Sequence, residues 1–177
     1  GGIPRRLISW AKPMLATMGA CSIVILPDYA SAARAECAAI LTAPGSNCAA
    51  FDIEVPPGAS DLESVQVCAA IMVADPHPPL LIVATLASMH LLPPVARAQR
   101  AARQLICGYV LIDAGQGALG ADPSGESWPD APVFLVASIG DDAARSHANL
   151  RGWHVVDAED ATDIAALIND RAHELAP

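Results

Sequence analysis

The sequence alternates six short apolar, β-rich runs with stretches in which apolar residues recur at helical spacing. Strands that alternate with helices predict βαβ units, and therefore a parallel sheet with helices packed against it. The six predicted strands are residues 21–26, 49–55, 80–84, 109–112, 133–137 and 153–157. We therefore expect an α/β fold, a doubly wound three-layer sandwich with a six-stranded, mainly parallel sheet.

Two local patterns predict where helices begin and break. Ser60 and Glu63 have the spacing of a capping box, in which the serine oxygen and the glutamate side chain satisfy backbone amides at a helix start. Pro93 and Pro94 lie inside another helical stretch, and they must kink or split it because proline lacks an amide hydrogen and clashes with the preceding turn. The predicted helices are residues 31–41, 60–74, 87–104, 141–150 and 160–175.

A length of 177 residues fits one domain. We predict a single domain over residues 1–177, in which residues 1–19 are an irregular or vector-derived lead-in. A secretory signal is not expected there, because Lys12 and Pro13 interrupt the apolar stretch. No window holds the roughly 18 uninterrupted apolar residues that a membrane helix requires. We therefore expect a soluble protein with no membrane partner.

Charge and motif content exclude several function classes. The formal net charge is -9, and Lys12 is the single lysine among ten basic residues, so no basic stripe is available for a nucleic-acid backbone. A lone lysine outside the predicted sheet also argues against a phosphate-loop or Schiff-base lysine. No glycine-rich fingerprint follows the first strand, which argues against a dinucleotide site. No cofactor is expected.

The cysteines indicate a reducing compartment. They are five in number and fall mostly inside apolar runs, without the paired spacing of a disulfide framework or a zinc site. They are Cys21, Cys37, Cys48, Cys68 and Cys107. We predict buried free thiols, no metal, and a cytoplasmic location.

Residues 78–93, reading Pro-Pro-Leu-Leu-Ile-Val-Ala-Thr-Leu-Ala-Ser-Met-His-Leu-Leu-Pro, resemble the strand, elbow and helix of small α/β-hydrolase-fold proteins. The segments 109–114, 128–137 and 151–156 resemble the strands that follow in that family. The resemblance covers about residues 20–175 in order and spacing. It implies a shortened member of the fold without a helical lid, because residues 115–132 make the whole crossing at which the family commonly inserts one.

The resemblance implies that the nucleophile is missing. The family's elbow is Gly-x-Ser-x-Gly, and residues 84–88 read Ala-Thr-Leu-Ala-Ser, which places Leu86 at the nucleophile position. An alkyl side chain cannot attack a carbonyl. A shifted register would place Thr85 or Ser88 there instead, at the expense of the apolar alternation of the strand.

The positions of the family's other catalytic groups are also altered. Asp113 or the pair Asp141-Asp142 could supply the acid, although the pair is also placed to cap a helix. Residues 158–161, where the family's histidine should lie, contain no histidine, and His154 falls within the last strand. The oxyanion turn is replaced by residues 27–29, where proline has no amide hydrogen and an aspartate would repel an oxyanion.

These departures predict a pseudoenzyme with a degenerate catalytic triad. We expect a non-hydrolytic α/β-hydrolase-fold protein that binds a small molecule, a peptide or a protein partner beyond the carboxyl ends of the strands, where doubly wound sheets bind ligands. The predicted crevice residues are Asp28, Tyr29, Thr85, Leu86, Ala87, Met89, His90, Gln116 and Ser138. Exposed apolar loops and a missing lid also leave room for a homo-oligomer.

The alternative hypothesis is an atypical enzyme. Members of the superfamily without the serine include isomerases, epimerases, lyases and cyclases, and His90 with Asp28, Tyr29 or Asp113 would be the candidate catalytic residues here. A histidine can transfer a proton near neutral pH when a carboxylate orients it. His90 is also open to interpretation as an ordinary helix residue that makes satisfied contacts. A generic doubly wound binding domain is a third hypothesis.

Overall fold

A computed structural model describes residues 19–56, 60–112, 128–137 and 141–177. Its strands form one six-stranded sheet in the order β2-β1-β3-β4-β5-β6, and all five neighbouring pairs are parallel. The strands are β1 (Ser22–Ile25), β2 (Ala50–Asp52), β3 (Leu80–Thr85), β4 (Ile106–Ile112), β5 (Val133–Ala137) and β6 (His154–Asp157). The predicted α/β fold class is confirmed.

Within the described ranges, helices follow β1, β2, β3, β5 and β6, and three of these helices begin at a side-chain cap. The helices are α1 (Ala32–Leu41), α2 (Ser60–Ala74), α3 (Leu92–Ala101), α4 (Asp142–Leu150) and α5 (Ala161–Glu174). Ser31, Asp141 and Asp160 each accept a hydrogen bond from a backbone amide in the first turn of α1, α4 and α5, which satisfies amides that a helix start leaves unpaired.

The predicted split at the proline pair is observed. Residues Leu86–Leu91 form a 3-10 helix, and α3 begins directly after it with a proline in its first turn. Proline fits that position because the first amides of a helix have no intrahelical partner. The split lets the segment after β3 turn before α3 packs on the sheet.

The sheet has an apolar core on each face. On one face, Val24, Ile82 and Leu111 pack with residues of α2, α3 and α4. On the other, the alternate residues Ile23 and Leu81 of the same strands pack with residues of α1 and α5. Burial on both faces explains why these strands are continuously apolar in sequence.

The order of strands reverses between β1 and β3. From β1 the chain passes outward to β2 and then returns to the other side of β1, where β3 and the later strands follow in sequence. The carboxyl ends of β1 and β3 therefore form the topological switch point at which ligands bind in doubly wound sheets.

The start of β4 differs from the prediction. The strand begins at Ile106 rather than at residue 109, and a β-bulge lies at Cys107, because Leu80 pairs with Ile106 whereas Leu81 pairs with Gly108. A Cβ at Gly108 would lie 2.8 Å from Leu175 Cδ1. A bulge interrupts the alternation of side chains along a strand, and glycine has no side chain to continue it. The start of β4 therefore does not show in the pattern of apolar residues.

None of the helices in the described ranges is both long enough and apolar enough to span a membrane. Residues 1–18 lie outside those ranges, so the irregular lead-in, and with it the single domain over the whole chain, stays a prediction.

Candidate functional site

Asp28 and Thr85 meet at the switch point. Asp28 follows β1 by three residues, and Thr85 is the last residue of β3. The Thr85 hydroxyl donates to Asp28 Oδ2 at 2.5 Å, and Asp28 Oδ1 accepts from the Ala30 amide at 3.1 Å. Thr85 is fully buried, whereas Asp28 is half-buried. The carboxylate is therefore held by one hydrogen bond to each oxygen, in a residue that is only half-buried.

Thr85 and Ser88 form a capping box at the start of the 3-10 helix. The Ser88 amide donates to Thr85 Oγ1 at 3.2 Å, and the Thr85 amide donates to Ser88 Oγ at 3.1 Å. The two hydroxyl oxygens lie 3.0 Å apart, and both side chains are buried. Both hydroxyls thus take part in hydrogen bonds that fix the turn after β3.

The backbone at the predicted elbow is relaxed. Thr85 is extended, with φ -88° and ψ 162°. Among the non-glycine residues that the structure describes, positive φ occurs only at Asp75 and Arg103, so Leu86 does not have the left-handed strain associated with functional turns. The Leu86 side chain is 6% exposed and belongs to the same apolar core as Met89.

His90 faces α2. Its imidazole is about half exposed, and Nε2 lies 3.4 Å from Glu63 Oε2. Exposed pairs of this kind contribute little to stability. The described partner of His90 is therefore Glu63, while Asp28 is bound to Thr85 and Ala30. Ala87, on the same short helix, is exposed.

Tyr29 joins the loops that follow β1 and β2. Its hydroxyl donates to the Val55 carbonyl and accepts from the Val55 amide at 2.9 Å. The side chain is nevertheless 62% exposed. The phenol oxygen is thus hydrogen-bonded to the backbone of Val55, whereas most of the Tyr29 side chain is exposed. Tyr29 directly follows Asp28 in the sequence.

An ion pair that no pattern in the sequence predicts stabilises the same edge of the sheet. Arg34, in the first turn of α1, is buried; its Nε donates to the Leu26 carbonyl at 3.0 Å, and its Nη2 donates to Asp52 Oδ1. The pair ties the carboxyl ends of β1 and β2 to α1. A fork of several donors makes arginine suited to two acceptors at once.

Three predicted site residues, Asp113, Gln116 and Ser138, lie outside the described residues. Two further candidates are placed elsewhere. Asp141 caps α4, and His154 begins the edge strand β6, where its ring stacks on Phe134 with centroids 5.1 Å apart. Within the described ranges, no group of three or more His, Cys, Asp or Glu side chains could hold a metal ion.

A second polar cluster lies toward the amino ends of β4 and β5. The buried Tyr109 hydroxyl donates to Asp130 Oδ1 at 2.6 Å, and Arg100 donates to Asp130 Oδ2 at 2.5 Å. Burial and the hydrogen bond to Asp130 raise the pKa of Tyr109. Burial alone would raise the pKa of Asp130, but the bonds from Tyr109 and Arg100 hold it below its usual value. The cluster lies at the opposite end of the sheet from Asp28.

No protein-family model and no curated protein sequence matches this chain. Among solved structures, the chain is similar to RedJ with a PEG molecule bound in its active site, at 12% sequence identity and a TM-score of 0.54. The similarity covers 97% of this chain and 96% of the RedJ chain. At this identity it shows the fold alone, an α/β-hydrolase-like architecture.

Proposed function

We propose that this protein uses a shortened α/β-hydrolase-like fold to bind a ligand at the carboxyl ends of β1 and β3 without hydrolysing it. The observation that carries the proposal is the chain of hydrogen bonds that links Ser88, Thr85 and Asp28. The Thr85 and Ser88 hydroxyls are buried and hold the turn after β3, while Asp28, which accepts from Thr85, is only half-buried.

The chemistry of this series supports binding over acyl transfer. A serine or threonine nucleophile needs an adjacent base and a path to the substrate. Here the Thr85 hydroxyl donates a hydrogen bond to the Asp28 carboxylate, but Thr85 and Ser88 are both buried, so neither hydroxyl has a path to a substrate. Leu86, between them in the chain, offers only an alkyl group. The arrangement is therefore suited to fixing the position of Asp28.

Asp28 and Tyr29 indicate the ligand class. A half-buried carboxylate favours a ligand that donates charge-assisted hydrogen bonds, and the chain's net charge of -9 disfavours an anion. The exposed Tyr29 ring supplies a face on which a cation or an apolar group can pack. We propose a small ligand or peptide end with a protonated amine beside an apolar group.

The non-hydrolytic part is tested with a fluorophosphonate probe and p-nitrophenyl butyrate. We expect no covalent adduct on the wild-type protein, and ester turnover no faster than that of the Ser88→Ala variant. A fluorophosphonate adduct at Ser88 or Thr85, with turnover lost in the corresponding Ser88→Ala or Thr85→Val variant, would refute the proposal.

The ligand class is tested by NMR titration with benzylammonium and with benzoate as probes of matched size. We expect benzylammonium to shift amides near Asp28 and Tyr29, benzoate not to, and Asp28→Asn to weaken the benzylammonium response at least about tenfold, as expected when a charge-assisted bond is lost. Asp75→Asn is the matched control, since Asp75 is exposed and its positive φ suits asparagine. Equal responses from the two probes would contradict the assignment.

The alternative of an atypical isomerase, lyase or cyclase requires His90 to act with a carboxylate in the crevice. The described geometry favours it less, because the His90 imidazole pairs with Glu63 on α2. It stays a hypothesis, and Asp113 lies outside the described residues.

A further inference from the structure

Two cysteine side chains meet at the amino end of the sheet, far from the switch point. Cys21 Sγ and Cys107 Sγ lie 2.6 Å apart. Carbon atoms in a packed core lie about 3.5–4.0 Å apart, and the sulfurs of a disulfide lie about 2.05 Å apart. The two thiols are therefore closer than ordinary packing neighbours, although all five cysteines carry free thiols.

The fold brings these residues together by a specific route. Cys21 immediately precedes β1, whereas Cys107 lies in β4, and β3 separates the two strands. Cys107 is the extra residue of the β-bulge opposite Leu80 and Leu81. A bulge redirects a side chain, and the Cys107 thiol donates to the Leu80 carbonyl at 3.2 Å. The pair thus meets at the point where β3 begins.

A cavity of about 660 Å³ reaches one member of the pair. It lies at the amino ends of β1, β2 and β3, and its wall includes Cys21, Cys48, His77, Pro79 and Pro177. Cys107 does not line it. Cys21 is 1% exposed and Cys107 is partly exposed, but of the two only Cys21 lines the cavity.

We propose that Cys21 and Cys107 form an oxidation site, in which a small hydroperoxide reacts at Cys21 and Cys107 then closes a disulfide between the residue that precedes β1 and strand β4. This site is independent of the ligand site proposed at Asp28. It is a modification site of the amino end of the sheet.

The chemistry balances in two steps. The Cys21 thiolate attacks one peroxide oxygen, so that a sulfur–oxygen bond forms, the oxygen–oxygen bond breaks, and the leaving oxygen takes up a proton as water or an alcohol. Cys107 then loses its proton and attacks the sulfenic sulfur, so that the sulfur–sulfur bond forms and water leaves. Two electrons pass from the two sulfurs to one hydroperoxide.

The environment makes this a slow reaction. Burial raises the pKa of the Cys21 thiol, and burial together with the contact to Cys21 raises that of Cys107. Because the thiolate is the nucleophile, raised pKa values reduce reactivity at neutral pH. The pair therefore fits a site that responds to sustained oxidant rather than a catalytic peroxidase.

The first experiment treats the intact protein with excess hydrogen peroxide and counts thiols after denaturation. We expect the count to fall by two from five, to be restored by dithiothreitol, and peptide mapping to find one cross-link, Cys21 to Cys107. An unchanged thiol count, a cross-link from Cys21 to Cys48, or sulfinic acid at Cys21 without a cross-link would overturn the proposal. This measurement needs no variant.

Variants separate the pair from the other thiols. Cys107→Ser and Cys21→Ser are expected to abolish the cross-link, whereas Cys68→Ser, which removes a partly buried thiol on α2, leaves it intact. A disulfide between residues 21 and 107 closes a long loop, and we expect it to raise the thermal unfolding midpoint of the oxidised protein by about 10 °C. Reduction with dithiothreitol should reverse this shift. The same shift in oxidised Cys107→Ser would contradict the assignment.

Discussion

The Tyr109 hydroxyl donates a 2.6 Å hydrogen bond to Asp130, from a side chain with no exposed surface to a carboxylate that also accepts from Arg100. The pair satisfies a polar group in the middle of an apolar core, where Tyr109 and Trp128 meet edge to face at 5.5 Å. A buried hydroxyl without a partner is costly, so the stability of this end of the sheet depends on Asp130.

We expect Asp130→Ala to lower the free energy of unfolding by about 1–3 kcal/mol, because it leaves the Tyr109 hydroxyl unpaired in the core. Tyr109→Phe should cost less, and the double variant should be more stable than Asp130→Ala alone, since the unpaired group is gone. Urea unfolding of the three variants measures this. A double variant that loses the sum of both single effects would contradict the pairing.

The same carboxylate gives a pH dependence with a defined sign. The pKa of Asp130 is held below 3.8 in the folded protein, so its contribution to stability is complete well above that value and is lost as the pH falls through the lower folded-state pKa. The stability difference between the wild type and Asp130→Asn should therefore shrink below about pH 4. Thermal unfolding at pH 7 and in acid tests this, and a constant difference would argue against it.

Arg34 predicts a second stability effect, at the other end of the sheet. Arg34→Met leaves Asp52 without its partner, and we expect a loss of about 2 kcal/mol, below the range for fully buried pairs because the Asp52 side chain is 29% exposed. Arg34→Lys should recover little, because one ammonium group cannot reproduce the fork that reaches both Leu26 and Asp52. Chemical denaturation measures the stability of both variants. An Arg34→Lys variant as stable as the wild type would contradict the prediction.

The capping box after β3 gives a prediction at the proposed ligand site. Thr85→Val keeps the shape of the side chain but removes the oxygen that caps the 3-10 helix and binds Asp28. We expect a loss of about 1–2 kcal/mol, together with a weaker benzylammonium response because Asp28 is no longer held. Thr85→Ser retains the hydroxyl and should remain close to wild type in both measurements. Wild-type stability of Thr85→Val would refute the role given to the hydroxyl.

The positions of the elements were largely predictable from the sequence. Runs such as residues 133–137 are apolar because both faces of the strand are covered, and β5 occupies that range. Ser31, Asp141 and Asp160 sit where helix starts require acceptors, and the proline pair ends one helix and begins another. These signals are local, so a single sequence carries them.

The site was less predictable because its contacts are long-range. Ser88 is compatible in sequence with a nucleophile, but the fold uses it as the reciprocal cap of Thr85. Arg34 lies in a helix where an arginine is usually solvated, and only the return of β2 beside β1 brings Asp52 to it. The contact between Cys21 and Cys107 depends on a bulge that no spacing in the sequence marks.

Both outer strands of the sheet are short. β2 has three residues and β6 has four, whereas β4, in the interior, has seven. A short edge strand offers few unpaired backbone amide and carbonyl groups to an incoming strand, which is one way that natural sheets resist edge-to-edge association. If this chain assembles with copies of itself, the helical layers are therefore better contact surfaces than a continuous intermolecular sheet.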